Sequence, residues 1–211
     1  MRLNDALSAL PLIAILRGIK PDEAVDMVSA LFEAGFRIVE VPLNSPQPLI
    51  SIARIAEKFG NRMLVGAGTV LTSSQLEEVA GAGGQLIVAP NFDAAVVKAS
   101  KSKNLVSIPG IATPSEAFAA LQAGADAIKL FPAEMILPVA VKAIRAVLPP
   151  AAILIPVGGI TPTLIAPYRQ AGANAFGLGS ALFKPGMTVQ QVAASAEQFS
   201  KAVQVRTAPF T

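Results

Sequence analysis

Short apolar runs rich in Val, Ile and Leu, closed by Gly or Pro, alternate along this chain with longer stretches of helical period. This constrains the fold more than any other feature, because a strand that pairs parallel to the next needs a crossover, usually a helix. The predicted strands are Leu12–Leu16, Arg37–Val41, Met63–Ala67, Gln85–Ala89, Leu105–Ile108, Ala127–Leu130, Ile153–Val157 and Ala175–Leu178. Eight is the strand count of a (β/α)8 TIM barrel. Helix starts are predicted at Pro21-Asp22-Glu23, Ser45-Pro46, Thr72-Ser73-Ser74, Asn91-Phe92-Asp93, Thr113-Pro114-Ser115-Glu116 and Thr161-Pro162, where capping oxygens, prolines or acids meet free N–H groups. Helix ends are predicted at Ala34-Gly35, Ala82-Gly83, Ala123-Gly124 and Ala171-Gly172, since Gly suits the left-handed position after a helix. These pairs precede every second strand, so two βα units repeat about four times. The expectation is an α/β chain forming a single closed (β/α)8 TIM barrel over residues 1–211, with an open flavodoxin-like or Rossmann sheet as the alternative. No motif is readable in the tail 204–211, which is expected to be irregular.

Composition narrows the chemistry. Hydrophobic residues are 53% and charged residues 15% of the chain, which supplies a large core and excludes disorder. Cys and His are absent, removing disulfides, thiol nucleophiles, imidazole bases and metal sites built on N or S ligands. Catalysis is left to Lys, Arg, Asp, Glu, Ser, Thr or Tyr. The net charge of +3 comes from scattered residues, Trp is absent and only Lys98, Lys101 and Lys103 approach a cluster, which argues against a nucleic-acid partner. The apolar run Leu7–Leu16 lacks the flanks of a signal peptide. The uncharged stretch Ala146–Tyr168 is broken by Pro149, Pro150, Pro156, Pro162 and Pro167. The expectation is a soluble, cytoplasmic protein without a membrane partner.

In a barrel the active site lies at the C-terminal strand ends. Lys129 interrupts Ala127-Ile128-Lys129-Leu130-Phe131, a strand with no other charge. Lys is rarely fully buried unless paired. Desolvation, helped by a neighbouring cation such as Arg17, would give a neutral amine able to form a Schiff base with a carbonyl. A structural ion pair with Glu40 or a phosphate contact is the other reading of Lys129. Glu40 occupies the equivalent place in the second predicted strand, either as acid/base partner or as neutralising charge. Gly158-Gly159 and Gly179-Ser180 follow the last two strands, where barrels recurrently bind phosphate, although tight turns also use Gly. Gly66-Ala67-Gly68-Thr69 lacks the third glycine and the acid of a dinucleotide fingerprint.

Together, Ile15-Leu16-Arg17-Gly18, Val39-Glu40-Val41, Gly66-Ala67-Gly68-Thr69-Val70, Ala89-Pro90-Asn91-Phe92, Pro109-Gly110, Lys129-Leu130-Phe131-Pro132-Ala133, Pro156-Val157-Gly158-Gly159-Ile160 and Gly177-Leu178-Gly179-Ser180 resemble the class I 2-keto-3-deoxy-6-phosphogluconate and 6-phosphogalactonate aldolases. The resemblance runs from about Ile13 to Phe183. It implies a short barrel, a homotrimer and no metal or organic cofactor. It implies Lys129 as the Schiff-base lysine and Glu40 as general acid/base. Arg17 and Thr69 would hold the substrate carboxylate, Pro90, Phe131 and Val157 line the pocket, and Gly158, Gly159, Gly179 and Ser180 bind phosphate. Pro42-Leu43-Asn44-Ser45-Pro46-Gln47-Pro48 and Ala112-Thr113-Pro114-Ser115-Glu116-Ala117-Phe118 are similar to the phosphogalactonate branch. The resemblance implies cleavage of 2-dehydro-3-deoxy-6-phosphogalactonate to pyruvate and glyceraldehyde 3-phosphate. The phosphogluconate epimer, another pyruvate aldolase activity and a non-catalytic phosphosugar-binding barrel are the alternatives. Apolar Val157, where the phosphogluconate branch tends to carry a hydroxyl, is a candidate for C4 recognition.

Overall fold

A computed structural model describes residues 1–204 of the chain. Among the described residues, nine helices and nine strands mostly alternate: α1 (Leu3–Ala9), β1 (Leu12–Ile15), α2 (Pro21–Glu33), β2 (Ile38–Pro42), α3 (Pro48–Phe59), β3 (Leu64–Gly68), α4 (Ser73–Gly81), β4 (Leu86–Val88), α5 (Ala94–Ser102), β5 (Val106–Ile108), β6 (Gly110–Ile111), α6 (Pro114–Ala123), β7 (Ile128–Leu130), α7 (Pro138–Val147), β8 (Leu154–Pro156), α8 (Ile165–Gln170), β9 (Phe176–Leu178) and α9 (Val189–Gln204). A single 3-10 turn, Pro162–Leu164, leads into α8. All eight predicted strand regions are strands. The expected irregular tail starts one residue early, since Gln204 is the last residue of α9, and the rest of it lies outside the described residues.

The strands do not make the closed eight-stranded TIM barrel. Six form a curled parallel half-barrel in the order β5-β4-β3-β2-β1-β9, and three form a separate small sheet, β6-β7-β8. This order is not that of a Rossmann or flavodoxin sheet either. Two local features interrupt the hydrogen bonding. Pro109, which has no N–H, separates β5 from the two-residue β6; β5 pairs only with β4, and β6 only with β7. Between β8 and β9, the Asn174 side chain accepts from the Leu154 amide at 2.9 Å, and Val157–Gly177 is an isolated bridge rather than a ladder.

The helix signals are largely used as expected. Thr72 and Asp93 cap α4 and α5, and Thr113 with Glu116 forms a reciprocal capping box on α6. Gly35, Gly83, Gly124 and Gly172 all have positive φ, between 83° and 102°. Ser45-Pro46 does not start α3, because Ser45 Oγ accepts the Gly18 amide instead and the helix begins at Pro48. Helix α1 was not expected. Its Leu3 and Ala6 join Ile13, Ile38, Leu64, Leu86, Ala127 and Ile155 in the apolar cluster on the concave side of the strands. A larger cluster lies between the strands and the outer helices. Among the described residues, no helix is long and apolar enough to cross a membrane.

Candidate active site

Side chains alternate across a strand, so Ile38 and Glu40 share the concave face, as do Ala127, Lys129 and Phe131. The lower residues of each set are apolar. The polar ones open into a cleft of about 510 Å³, lined by Glu40, Lys129 and Phe131 and closed by the loops after β1, β8 and β9.

Lys129 is 6% exposed and Glu40 2%. Among the described residues no side chain makes a hydrogen bond or ion pair with Lys129 Nζ, which lies 4.5 Å from the centre of the Phe131 ring. The alternative reading of Lys129 as a structural ion pair with Glu40 is therefore not met, since no such pair forms among the described residues. Burial pushes the Lys129 ammonium below its ordinary value; Glu40 opposes the shift and Arg17 adds to it. Burial also lifts the Glu40 carboxyl to about 7, against the pull of Lys129, Arg17 and the Gly68 backbone. Glu40 Oε2 is buried without a hydrogen-bond partner among the described residues. Space for the carboxyl comes from the neighbouring strand: Gly66 pairs with Glu40, and Gly68 stands beside the carboxyl group. The pair can supply an amine that is readily uncharged and an acid that exchanges protons near neutrality.

Arg17 is exposed at the end of β1, directed by two loops. Its Nη1 donates to Asn44 Oδ1 at 2.5 Å, and its Nη2 donates to Thr69 Oγ1 at 3.5 Å. Thr69 has φ +59°, a conformation costing a β-branched residue on the order of 1–3 kcal/mol. Thr69 reaches the site only through Arg17, and neither it nor Pro90 lines the cleft. Pro90 sits at the seam below, where its carbonyl carbon and oxygen crowd Gly110. A strand-end position did not reveal the side chain's direction.

Val157, Gly158, Gly159, Gly179 and Ser180 line the cleft beyond Lys129. Gly158 and Gly159 have φ of +110° and +61°, a turn that L side chains resist. The same wall holds three polar residues that were not named as site residues from sequence: Glu134, Lys184 and Thr161, the last read only as a helix start. Glu134 is two residues beyond Pro132 in the lysine strand's own motif, the one signal that could have found it.

The family model for "KDPG and KHG aldolase" matches residues 3–201. The chain is 47% identical over 193 residues to the 2-dehydro-3-deoxy-6-phosphogalactonate aldolase of Escherichia coli strain K12, covering 92% of this chain and 94% of that protein. It is 48% identical over 182 residues to the probable enzyme of the same name from Rhizobium meliloti strain 1021, covering 86% of each. A solved structure described as native KDPGal superposes with a TM-score of 0.90 at 47% identity, over 92% of this chain and 94% of that one. A buried lysine and a buried glutamate on facing strands, with these relatives along nearly the whole chain, place the protein in the KDPG and KHG aldolase family.

Proposed function

We propose that this protein is a class I aldolase that reversibly cleaves 2-dehydro-3-deoxy-6-phosphogalactonate to pyruvate and glyceraldehyde 3-phosphate. The observation that carries the reading is Lys129: buried, unpaired by any hydrogen bond or ion pair among the described residues, and facing the same cleft as a buried carboxyl raised to about 7. The names of the two relatives at 47–48% identity support the galactonate epimer.

The uncharged Lys129 amine attacks the C2 ketone, and Glu40 moves the proton that lets water leave, giving an iminium. Glu40 as carboxylate then takes the proton of the C4 hydroxyl. The C3–C4 bond breaks, its electron pair passes to the iminium nitrogen as an enamine, and glyceraldehyde 3-phosphate leaves. Protonation at C3 and addition of water to the resulting iminium release pyruvate and restore Lys129. Arg17, steadied by Asn44 and Thr69, holds the carboxylate. Gly158, Gly159, Gly179 and Ser180 hold the phosphate, so the scissile bond lies between two anchors. Phe131 and Val157 form the walls beside the reacting carbons. The resemblance further supports a homotrimer acting in the cytoplasm without metal or organic cofactor; sedimentation analysis checks the assembly.

Incubation with pyruvate and borohydride, followed by peptide mapping, tests the class: a reduced pyruvyl adduct is expected on Lys129 alone. Side-by-side turnover of the two C4 epimers tests the substrate, with the galactonate epimer expected to be preferred. A folded protein without an adduct would overturn the proposal.

A further inference from the structure

The loop after β9 crosses the mouth of the cleft and is braced on the loop after β1. Gly18 has φ +85°, and a Cβ added there would lie 2.7 Å from Pro185 Cγ, so bare backbone receives the proline ring. Lys184, next to Pro185, lines the cleft with Gly159, Thr161 and Ser180. Its backbone amide donates to Met187 Sδ at 3.2 Å. No hydrogen bond or ion pair among the described residues engages its ammonium. Among the described residues, three basic side chains line the cleft. Arg17 is drawn toward Asn44 and Thr69, and Lys129 is buried at the base. Lys184 is the cation left for the wall made by the loops after β8 and β9.

That wall also carries an anion. Glu134 lies against the glycine turn: a Cβ on Gly158 would be 2.2 Å from Glu134 Oε2, and one on Gly159 would be 2.9 Å from Glu134 Cγ. No hydrogen bond or ion pair among the described residues engages its carboxylate. A phosphate seated on this turn would meet a carboxylate of like charge, so an opposing cation is required there.

We propose that Lys184 selects phosphorylated over unphosphorylated aldehydes, against a counter-charge supplied by Glu134. The inference rests on the aldolase reading above and adds to it the charged pair that sets selectivity at the aldehyde end. A lysine suits this task because its ammonium is a point charge on a flexible stem, able to follow an anion into an open cleft.

The test runs in the condensation direction with pyruvate and either glyceraldehyde 3-phosphate or glyceraldehyde, reading the ratio of kcat/KM for the two aldehydes. Lys184→Met is expected to lower this ratio by about tenfold, the scale of one charge-assisted contact. Lys184→Arg is expected to restore most of it, and Glu134→Gln to raise it several-fold. Added salt should erode the ratio in the parent protein more than in Lys184→Met. An unchanged ratio in both Lys184→Met and Glu134→Gln would overturn the inference. So would a rise in the KM for pyruvate with the ratio intact, which would place Lys184 at the carboxylate instead. Borohydride trapping of pyruvate on Lys129 in the parent protein is run first, so a failure of the aldolase reading is separable from a failure of this one.

Discussion

A Cβ on Gly68 would lie 2.0 Å from Glu40 Oε2, so the absence of one side chain on β3 makes room for the carboxyl group on β2. Gly68→Ala is expected to keep its fold, because the residue has ordinary strand backbone. The carboxyl group must move, and a misplaced acid/base costs on the order of 10–100-fold in kcat. Steady-state kinetics beside a circular-dichroism melt check the two halves of this prediction.

The raised carboxyl also writes itself into stability. Glu40 titrates from 4.5 when unfolded to about 7 in the folded protein. Between those values the folded state keeps a proton that the unfolded chain has lost. Its contribution to unfolding free energy therefore falls as pH rises from 4.5 to about 7, then levels off. Glu40→Gln should remove that slope. Urea unfolding of both proteins across this window should show the variant gaining on the parent by about 2–3 kcal/mol at the alkaline end.

Lys129→Met is expected to abolish turnover, by about 10⁴-fold or more, since the covalent step has no substitute nucleophile. Stability should move the other way. A buried ammonium without a hydrogen-bond or ion-pair partner is replaced by an apolar side chain of similar shape, so the variant should be as stable as the parent or more so by up to about 2 kcal/mol. Denaturant midpoints and pyruvate trapping measured on one sample check both directions.

Asn44→Ala removes the shorter of the two hydrogen bonds that direct Arg17. The expected result is a KM for pyruvate raised roughly tenfold in the condensation direction, with the KM for the aldehyde little altered. Equal changes for both substrates would show that Asn44 merely shapes the loop.

Much of this was legible in the chain because it is encoded locally. Val- and Ile-rich runs marked all eight expected strand regions, and the glycines at 35, 83, 124 and 172 marked helix ends whose positive φ the structure confirms. Lys129 and Glu40 stood out because a charge in an apolar run has no ordinary reason to be there. What failed depends on contacts distant in sequence. Nothing near Asn174 reveals that its side chain will accept the Leu154 amide and leave the sheets unjoined by a ladder there. Ser45 looks like a helix cap until Gly18, far back in the chain, claims its hydroxyl. Lys184 is an exposed loop charge, indistinguishable in sequence from those that only meet solvent, and Glu134 differs only in following the lysine motif closely.

The division of the strands has its own consequence. Glu40 and Arg17 belong to the half-barrel, while Lys129 belongs to the small sheet, so the proposed nucleophile and proton carrier are mounted on separate panels. The panels meet at two joints without room for a side chain: a Cβ on Gly110 would lie 2.3 Å from the Pro90 carbonyl oxygen, and one on Gly177 2.6 Å from Val157 Cγ2. At both joints a single added methyl would act as a shim. A substitution along this seam would therefore change the distance between Lys129 and Glu40 without altering either side chain.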